Sequence, residues 1–466
     1  MKRLLKIISF GAIGVLVAVL VAATLLENIY GSSFAIDHVY HSWWFVSLWA
    51  LLAVTAMAYI FCSSKRIMLA MLHVSFVVVL LGAMVSFFTS KRGDMIISRE
   101  GAPASMFEIG NAALHRLPFR VQLVDIDTMY SECGSPIDYK VHILADDKKA
   151  LTQHIISLNA PTKIDGYQLC IKGVHDSNVL LLVSHDPVGC AISYVGYLLV
   201  FLSFLLLFFD KKSGFNALLY KLKGEIKKSV KKERTSISLD ILDRKMWVAL
   251  PLSFMFLCIL WYVRGVFPAT NGAESLMLLA LFVMLLAVAL RRKKHFELLG
   301  RVLVIVAAIF FAVAALGLDG NSNVQPILRT PLLGIHVTTI IIAYALLACA
   351  AVNAVIALCR KDAKKRAQQA VLGRLLLYPA TMLLATGIFI GAVWANLSWG
   401  RYWGWDPKEV WALITLLVCS VGFHSHSLPF IAKPKAFHVF CIVAFAAVLF
   451  TFFGVNCLLG GLHSYV

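Results

Sequence analysis

Charge is scarce in this chain of 466 residues: Asp, Glu, Lys and Arg make up 15% of it, against 60% apolar residues. So low a charge content excludes an ordinary soluble domain and describes a protein that crosses a membrane several times. Acidic residues are the scarcer sign, 25 against 43 Lys and Arg, for a formal net charge of +18. The excess does not point to nucleic acid, because the basic residues cluster in short loops between apolar runs, as the positive-inside rule describes. The ten cysteines contain no C-x-x-C pair and no metal-ligand spacing. That excludes zinc-site, thioredoxin-type and C-x-x-C-H readings, so the chain is not itself a c-type cytochrome. Cys133 and Cys170 lie in the one polar stretch and either form a disulfide in an oxidising compartment or stay free. Most of the others sit in or beside apolar spans and read as small hydrophobes.

Lys2, Arg3 and Lys6 precede an apolar run to about Leu26. The run exceeds a signal-peptide core and lacks a small-residue cleavage site, so it reads as a retained anchor with a cytoplasmic N-terminus. Further spans are expected at 43–62 and 67–89, with Lys65 and Arg66 inside between them. Residues 90–187 change character: alternating stretches at 119–127, 139–144 and 167–174 read as half-buried strands of a small, mainly β, extracytoplasmic domain. A span at 189–209, within a segment 188–210, returns to a Lys-rich cytoplasmic linker, 211–246, suited to an anionic membrane surface. Seven more spans follow in 247–466, at 247–264, 275–290, 302–318, 332–358, 375–394, 410–428 and 436–457. The R-R-K-K run at 291–294 and the R-K-D-A-K-K-R run at 360–366 fall inside; the alternate loops carry almost no Lys or Arg. The expected fold is a polytopic α-helical membrane protein of about 11 transmembrane helices with one small β-rich external domain. Its units are residues 1–89, 90–187, 188–210, 211–246 and 247–466, with the C-terminus outside.

Residues 394–411 read W-A-N-L-S-W-G-R-Y-W-G-W-D-P-K-E-V-W. Trp394, Trp399, Trp403, Trp405 and Trp411 are half of the chain's ten tryptophans, and Gly400, Gly404 and Pro407 break the segment as a single helix. An interfacial aromatic belt needs one or two such rings per helix end and no particular order. Rings interleaved with glycines and with Arg401, Asp406, Lys408 and Glu409 suit a shelf for a large flat ligand with polar edges. By charge and parity the segment falls outside.

The run W-G-x-x-W-x-W-D-P-K-E at 399–409 resembles the WWD signature of haem-handling proteins in cytochrome c assembly. The surrounding chain is similar to the fused system II cytochrome c synthases of the ResB–ResC type, most strongly over 331–466 and weakly over 90–187. The resemblance implies a bacterial cytoplasmic (inner) membrane protein with a periplasmic WWD loop. It implies haem b as substrate and bound ligand, an apocytochrome c with a C-x-x-C-H segment as partner, and thiol-reducing partner proteins. Its activity would be that of a holocytochrome c synthase, a haem lyase joining the two substrate thiols to the haem vinyl groups. The alternative is a haem transporter or chaperone without ligase activity; a transporter of some other aromatic ligand is a third class.

Intramembrane histidines are functional candidates because burying them is costly. His73 lies about 9 Å into its span from the inner end, and His424 about 22 Å below the Trp-rich loop, at the helical rise. The two halves therefore place one histidine each at similar depth. His336 and His463 fall at the outer ends of their segments, at the level of the loop. The resemblance assigns His73 (M-L-H-V-S) and His424 (G-F-H-S-H) to an inner pair of axial iron ligands, with His426 as rival to His424. His336 (G-I-H-V-T) and His463 (G-L-H-S-Y) become the outer pair. Haem binding is then expected of these four histidines with Trp394, Trp399, Trp403, Trp405 and Arg401. Chemistry is expected at His336, His463, Trp399, Trp403, Trp405 and Asp406. Haem propionates call for cations: Arg401 and Lys408 lie inside the segment and Arg264 and Arg329 on outside loops, with Arg the better carboxylate partner and a salt bridge to Asp406 or Glu409, or headgroup contact, the competing role.

Overall fold

The computed structural model describes residues 1–63, 67–109, 113–130, 134, 136–146, 150–175, 177–232, 241–291, 296–317, 325–425 and 427–459. The chain starts with α1 (Lys2–Tyr30), one-turn α2 (Ser32–Ala35) and a π-helical turn, Ile36–Tyr40, then α3 (Trp43–Ser63) and α4 (Ile67–Thr89). Eight strands follow: β1 (Lys91–Ser98), β2 (Ala104–Ile109), β3 (Ala113–Tyr130), β4 (Pro136–Asp146), β5 (Leu151–Ile156), β6 (Thr162–Ile164), β7 (Tyr167–His175) and β8 (Asn178–His185). Helices resume with α5 (Gly189–Phe209), α6 (Gly214–Lys232), α7 (Ile241–Arg264), α8 (Gly272–Arg291) and α9 (Glu297–Leu316). The last are α10 (Pro331–Cys359), α11 (Ala363–Trp399), α12 (Pro407–Val421), short α13 (Pro429–Ala432) and α14 (Pro434–Leu449), which continues as a π-helix, Phe450–Leu459.

Among the described residues nine helical segments are long and apolar enough to cross a membrane, and the protein is a multi-pass membrane protein. The count differs from the eleven expected for a definite reason. The spans read at 247–264 and 410–428 are both helical, but Val248–Arg264 is a shorter apolar helix and α12 has only 15 residues. Fifteen residues rise about 22 Å, short of a hydrocarbon core of about 30 Å. The helix expected at 375–394 is longer at both ends, Ala363–Trp399, because Asp362 caps its start and Gly400, at φ 63°, ends it.

The eight strands form one antiparallel sheet in the order β5-β4-β3-β2-β1-β8-β7-β6. The alternation seen in the sequence does its expected work. Phe119, Val121 and Leu123 on β3, Val141 and Ile143 on β4, and Val179, Leu181 and Val183 on β8 share one buried core. The sheet hangs between α4 and α5, which pack through small residues: a Cβ at Gly82 would strike Ser193, one at Gly189 would strike Ser86, and one at Gly196 would lie 2.6 Å from Val79. Close approach of this kind is how helices associate where lipid removes the hydrophobic drive between them.

That seam sets the sheet on the C-terminal end of α11. Gln168 Nε2 donates to the Asn396 carbonyl at 2.7 Å, and Ser398 Oγ donates to Asn159 Oδ1 at 2.7 Å. Gly400 lies beneath Leu182, Cys170 and Ser184, where a side chain would collide with Leu182 at 2.8 Å. The end of α11 and Gly400 are therefore covered by β7 and β8.

Candidate functional site

The Trp-rich segment is three pieces of structure. Trp394 and Trp399 end α11, edge to face at 4.7 Å, and pack with Leu328, in the 3-10 turn before α10, and Leu333 at the start of α10. Trp394 is 2% exposed, so it forms a floor and offers little face. Trp403 and Trp405 lie on the turn, perpendicular at 5.7 Å, and Trp405 stacks flat on Tyr40 at 4.6 Å with Phe45 at its edge. Trp411 is on α12, its indole N–H donating to Thr24 of α1 at 3.2 Å and its ring against Phe450.

The turn is held by its own polar residues. Asp406 caps α12 in a capping box with Glu409, whose carboxylate accepts from Gly404 N at 2.8 Å and Asp406 N at 3.3 Å. Pro407 occupies the first helical position and keeps Asp406 extended. Trp405, between Gly404 and Asp406, has φ 59°, which costs a bulky residue about 1–3 kcal/mol. The Tyr40 stack and the two Glu409 bonds on either side hold it there. Lys408 donates to Asn456 at 2.8 Å, and burial lowers its pKa to about 8, with the Asp406 charge opposing. Tyr402 donates to Ser86 at 2.9 Å, and burial raises its hydroxyl above the usual value.

The two histidines read as an inner pair meet. His73 on α4 and His424 have ring centres 6.1 Å apart with planes at 83°, and Phe10 of α1 sets its edge to His424 at 5.3 Å. His424 was expected inside a span at 410–428. It lies instead in the turn after α12, which Gly422 ends at Val421. Each ring ties Nδ1–H to a carbonyl one turn back, His73 to Leu69 at 2.8 Å and His424 to Ser420 at 2.9 Å. A carbonyl only accepts, so both rings carry the proton on Nδ1 and the lone pair on Nε2, a tautomer in which Nε2 can bind a metal. Two imidazoles on opposite sides of one metal, each at about 2 Å, have centres about 6 Å apart. Among the described residues no three His, Cys, Asp or Glu side chains converge as a metal-ion set. A pair of imidazoles suits an iron whose other ligands come from a porphyrin.

His336 is in the second turn of α10, its Nδ1–H donating to the Gly387 carbonyl of α11 at 2.7 Å. Gly391 lies against its ring, where a Cβ would come within 2.5 Å of Cε1. The Gly387-x-x-x-Gly391 spacing lets α11 approach closely enough to orient this imidazole. His463 and His426 lie outside the described residues, as does Cys133; the Cys170 thiol is buried beside Gly400. His438, with Nε2 donating to the Arg366 carbonyl at 3.1 Å, is a fully buried packing residue.

Several residues here carried no signal in the sequence. Tyr40, the stacking partner of Trp405, precedes α3 by three residues, outside any motif. Arg92 on β1 donates to the Gly400 carbonyl at 3.2 Å and joins Arg401 at a cleft under the sheet. The glycine pair behind His336 had a readable spacing, but its partner ring did not follow from it.

Residues 269–463 match the family described as cytochrome C assembly protein, and residues 63–189 match the ResB-like family. Protein NrfI of Wolinella succinogenes is 33% identical over 247 residues, 50% of this chain and 26% of that protein. The cytochrome c biogenesis protein CcsA of Chlamydomonas reinhardtii is 33% identical over 236 residues, 47% of this chain and 67% of its own length. CcsA of Oryza sativa reaches 46% identity over 83 residues, 18% of this chain and 26% of that protein. The chain thus spans about a quarter of NrfI and two thirds of the Chlamydomonas protein.

Proposed function

Because the chain belongs to the system II cytochrome c biogenesis proteins, with ResB-like and cytochrome c assembly parts in one polypeptide, we propose that it exports haem and attaches it to apocytochrome c. The observation that carries this reading is the inner pair. Histidines 351 positions apart converge at 6.1 Å with matching tautomers. Haem enters between His73 and His424 and moves to the outer face, where His336 and His463 take its iron. Trp399, Trp403 and Trp405 bear on the macrocycle there, and Trp394 supports them from below. Asp406 acts by holding the turn through its cap on α12.

Attachment asks little acid–base work of the protein. Each thiol of the substrate C-x-x-C-H segment adds across a vinyl group of ferrous haem: a C–S bond forms, and the thiol hydrogen ends on the other vinyl carbon. Holding the two partners in register supplies a large share of the rate. His336, oriented by Gly387, keeps the iron ligated until the substrate's own histidine replaces one outer ligand. The outer face is the periplasmic side of a bacterial cytoplasmic membrane, with the N-terminus inside.

The test is the absorption spectrum of the purified protein, before and after dithionite, beside a His336→Ala/His463→Ala variant. A Soret band with sharp reduced α and β bands, weakened in the variant and partly restored by imidazole, is the expected result. A wild-type protein without a Soret band from haem-replete cells would refute the reading. Maturation of a reporter cytochrome by this chain alone separates ligation from transport without ligation.

A further inference from the structure

A cleft of about 450 Å³, counting the part open to solvent, lies between the sheet and the Trp-rich turn. Its described lining includes four cations, Lys91, Arg92, Lys163 and Arg401, but one carboxylate, Asp186. Asp186 is already engaged: Ser86 Oγ donates to its Oδ2 at 2.5 Å, and Tyr402 donates to Ser86 in turn. Arg92 reaches the turn from β1 through its bond to the Gly400 carbonyl, and its Nε is buried with no protein acceptor. Arg401 folds back over its own turn, where a Cβ at Gly404 would lie 2.6 Å from its Cζ. Burial, and next the charge of Arg401, push Arg92 down to about 10. Two guanidinium groups held together at a partly dry site repel one another, and an anion between them relieves both the repulsion and the lost hydration. Their planar, forked donors match a carboxylate.

We infer that Arg92 and Arg401 form one carboxylate clamp across the seam between the ResB-like and cytochrome c assembly parts, and that it takes a propionate of the haem handled at the outer site. The inference rests on the haem reading above. It gives the ResB-like part a direct hold on the cargo, and it ties outer-site loading to the docking of the sheet on α11. Lys91 and Lys163 add to the attracting field at the mouth. A carboxylate of the polypeptide substrate offers the same chemistry. The competing role for Arg92 is to neutralise Asp186, whose Oδ1 is buried without a protein donor.

The experiment titrates the full-length protein in detergent with iron protoporphyrin and, separately, with its propionate dimethyl ester. The Soret change is followed for the phase that His336→Ala removes. The wild type should prefer the free acid by about tenfold or more, the range of a charge-assisted hydrogen bond. Arg92→Gln and Arg401→Gln should each bring the free acid down toward the ester and leave ester binding unchanged. Arg92→Lys, which keeps the charge and loses the fork, should recover part of the preference. An unchanged preference in both Gln variants, with affinity for an acidic C-x-x-C-H peptide also unchanged, overturns the clamp, and does so equally if Arg92→Gln only lowers thermal stability, which assigns Arg92 to Asp186. An unchanged preference with a tenfold weaker affinity for an acidic C-x-x-C-H peptide overturns the propionate assignment in favour of the polypeptide. Failure of the wild type to bind either porphyrin overturns the haem reading and the clamp with it, whereas binding without preference overturns the clamp alone.

Discussion

Gly391→Ala should displace the His336 imidazole without touching its chemistry. The added Cβ would lie 2.5 Å from Cε1, 2.7 Å from Nδ1 and 3.2 Å from Nε2 of that ring. Ordinary contacts between such atoms are about 3.5–4.0 Å, so the ring must retreat by about 1 Å or α11 must move off α10. Either shift strains the 2.7 Å bond from Nδ1 to the Gly387 carbonyl that fixes the tautomer. Overpacking of this kind costs about 1–3 kcal/mol. Loss of the partner that orients a ligand histidine costs about 10–100-fold in metal affinity. Haem per protein and the dithionite-reduced α band are the readouts, with Gly387→Ala as the comparison. There the Cβ meets Ile340 at 2.6 Å, so the helices are disturbed while the His336 ring is not struck. Gly391→Ala should lose outer-site haem and respond poorly to added imidazole, because the native ring still crowds the space. His336→Gly, which empties that space, should be rescued. A Gly391→Ala protein with wild-type haem content and an unshifted reduced spectrum would refute both the placement of His336 and its role.

The inner pair makes a second expectation: His73→Ala or His424→Ala alone should lower the haem that copurifies, with imidazole restoring a six-coordinate spectrum, and unchanged haem content in both would remove the pair as ligands. At the turn, Trp405→Gly should destabilise the protein less than Trp405→Ala by about 1 kcal/mol, since glycine alone tolerates φ 59° freely. Equal melting temperatures for the two in detergent would show that the turn carries no backbone strain. Lys408 binds its proton less tightly in the folded protein than its ordinary 10.5 implies, near 8. Its burial therefore costs stability fully below pH 8, and the cost fades as pH rises from about 8 to 10.5. Lys408→Met should be more stable than wild type at pH 7 and should flatten stability across that interval; an identical slope in the two proteins would place the pKa elsewhere. Gly82→Val should part α4 from α5 by driving a side chain into Ser193. It should loosen the sheet's docking, read as faster proteolysis of the strands, and wild-type resistance would contradict the seam.

The sequence by itself determined most of what depends on local chemistry. Long apolar runs can only be satisfied in a bilayer as helices, so the multi-pass fold followed from composition. Alternation at 119–127, 139–144 and 167–174 announced strands that the sheet contains as parts of β3, β4 and β7. The W-G-x-x-W-x-W-D-P-K-E run announced its family, and histidines in apolar surroundings announced candidates because burying them is expensive. What tertiary structure decided was which of these groups meet. Trp405 found Tyr40, 365 positions earlier, while Trp394 and Trp411 went into packing, because a ring's face is assigned by the helices around it. Helix ends moved as well, since Asp362, Gly400 and Gly422 set them through capping and backbone geometry while hydropathy changes only gradually. His424 thereby left its helix and still met His73. Arg92 came to Arg401 across 309 positions only because a seam of glycines and serines holds α4 against α5. Hydropathy and motifs are short-range signals, and contacts between distant segments depend on close packing that no single stretch of the chain encodes.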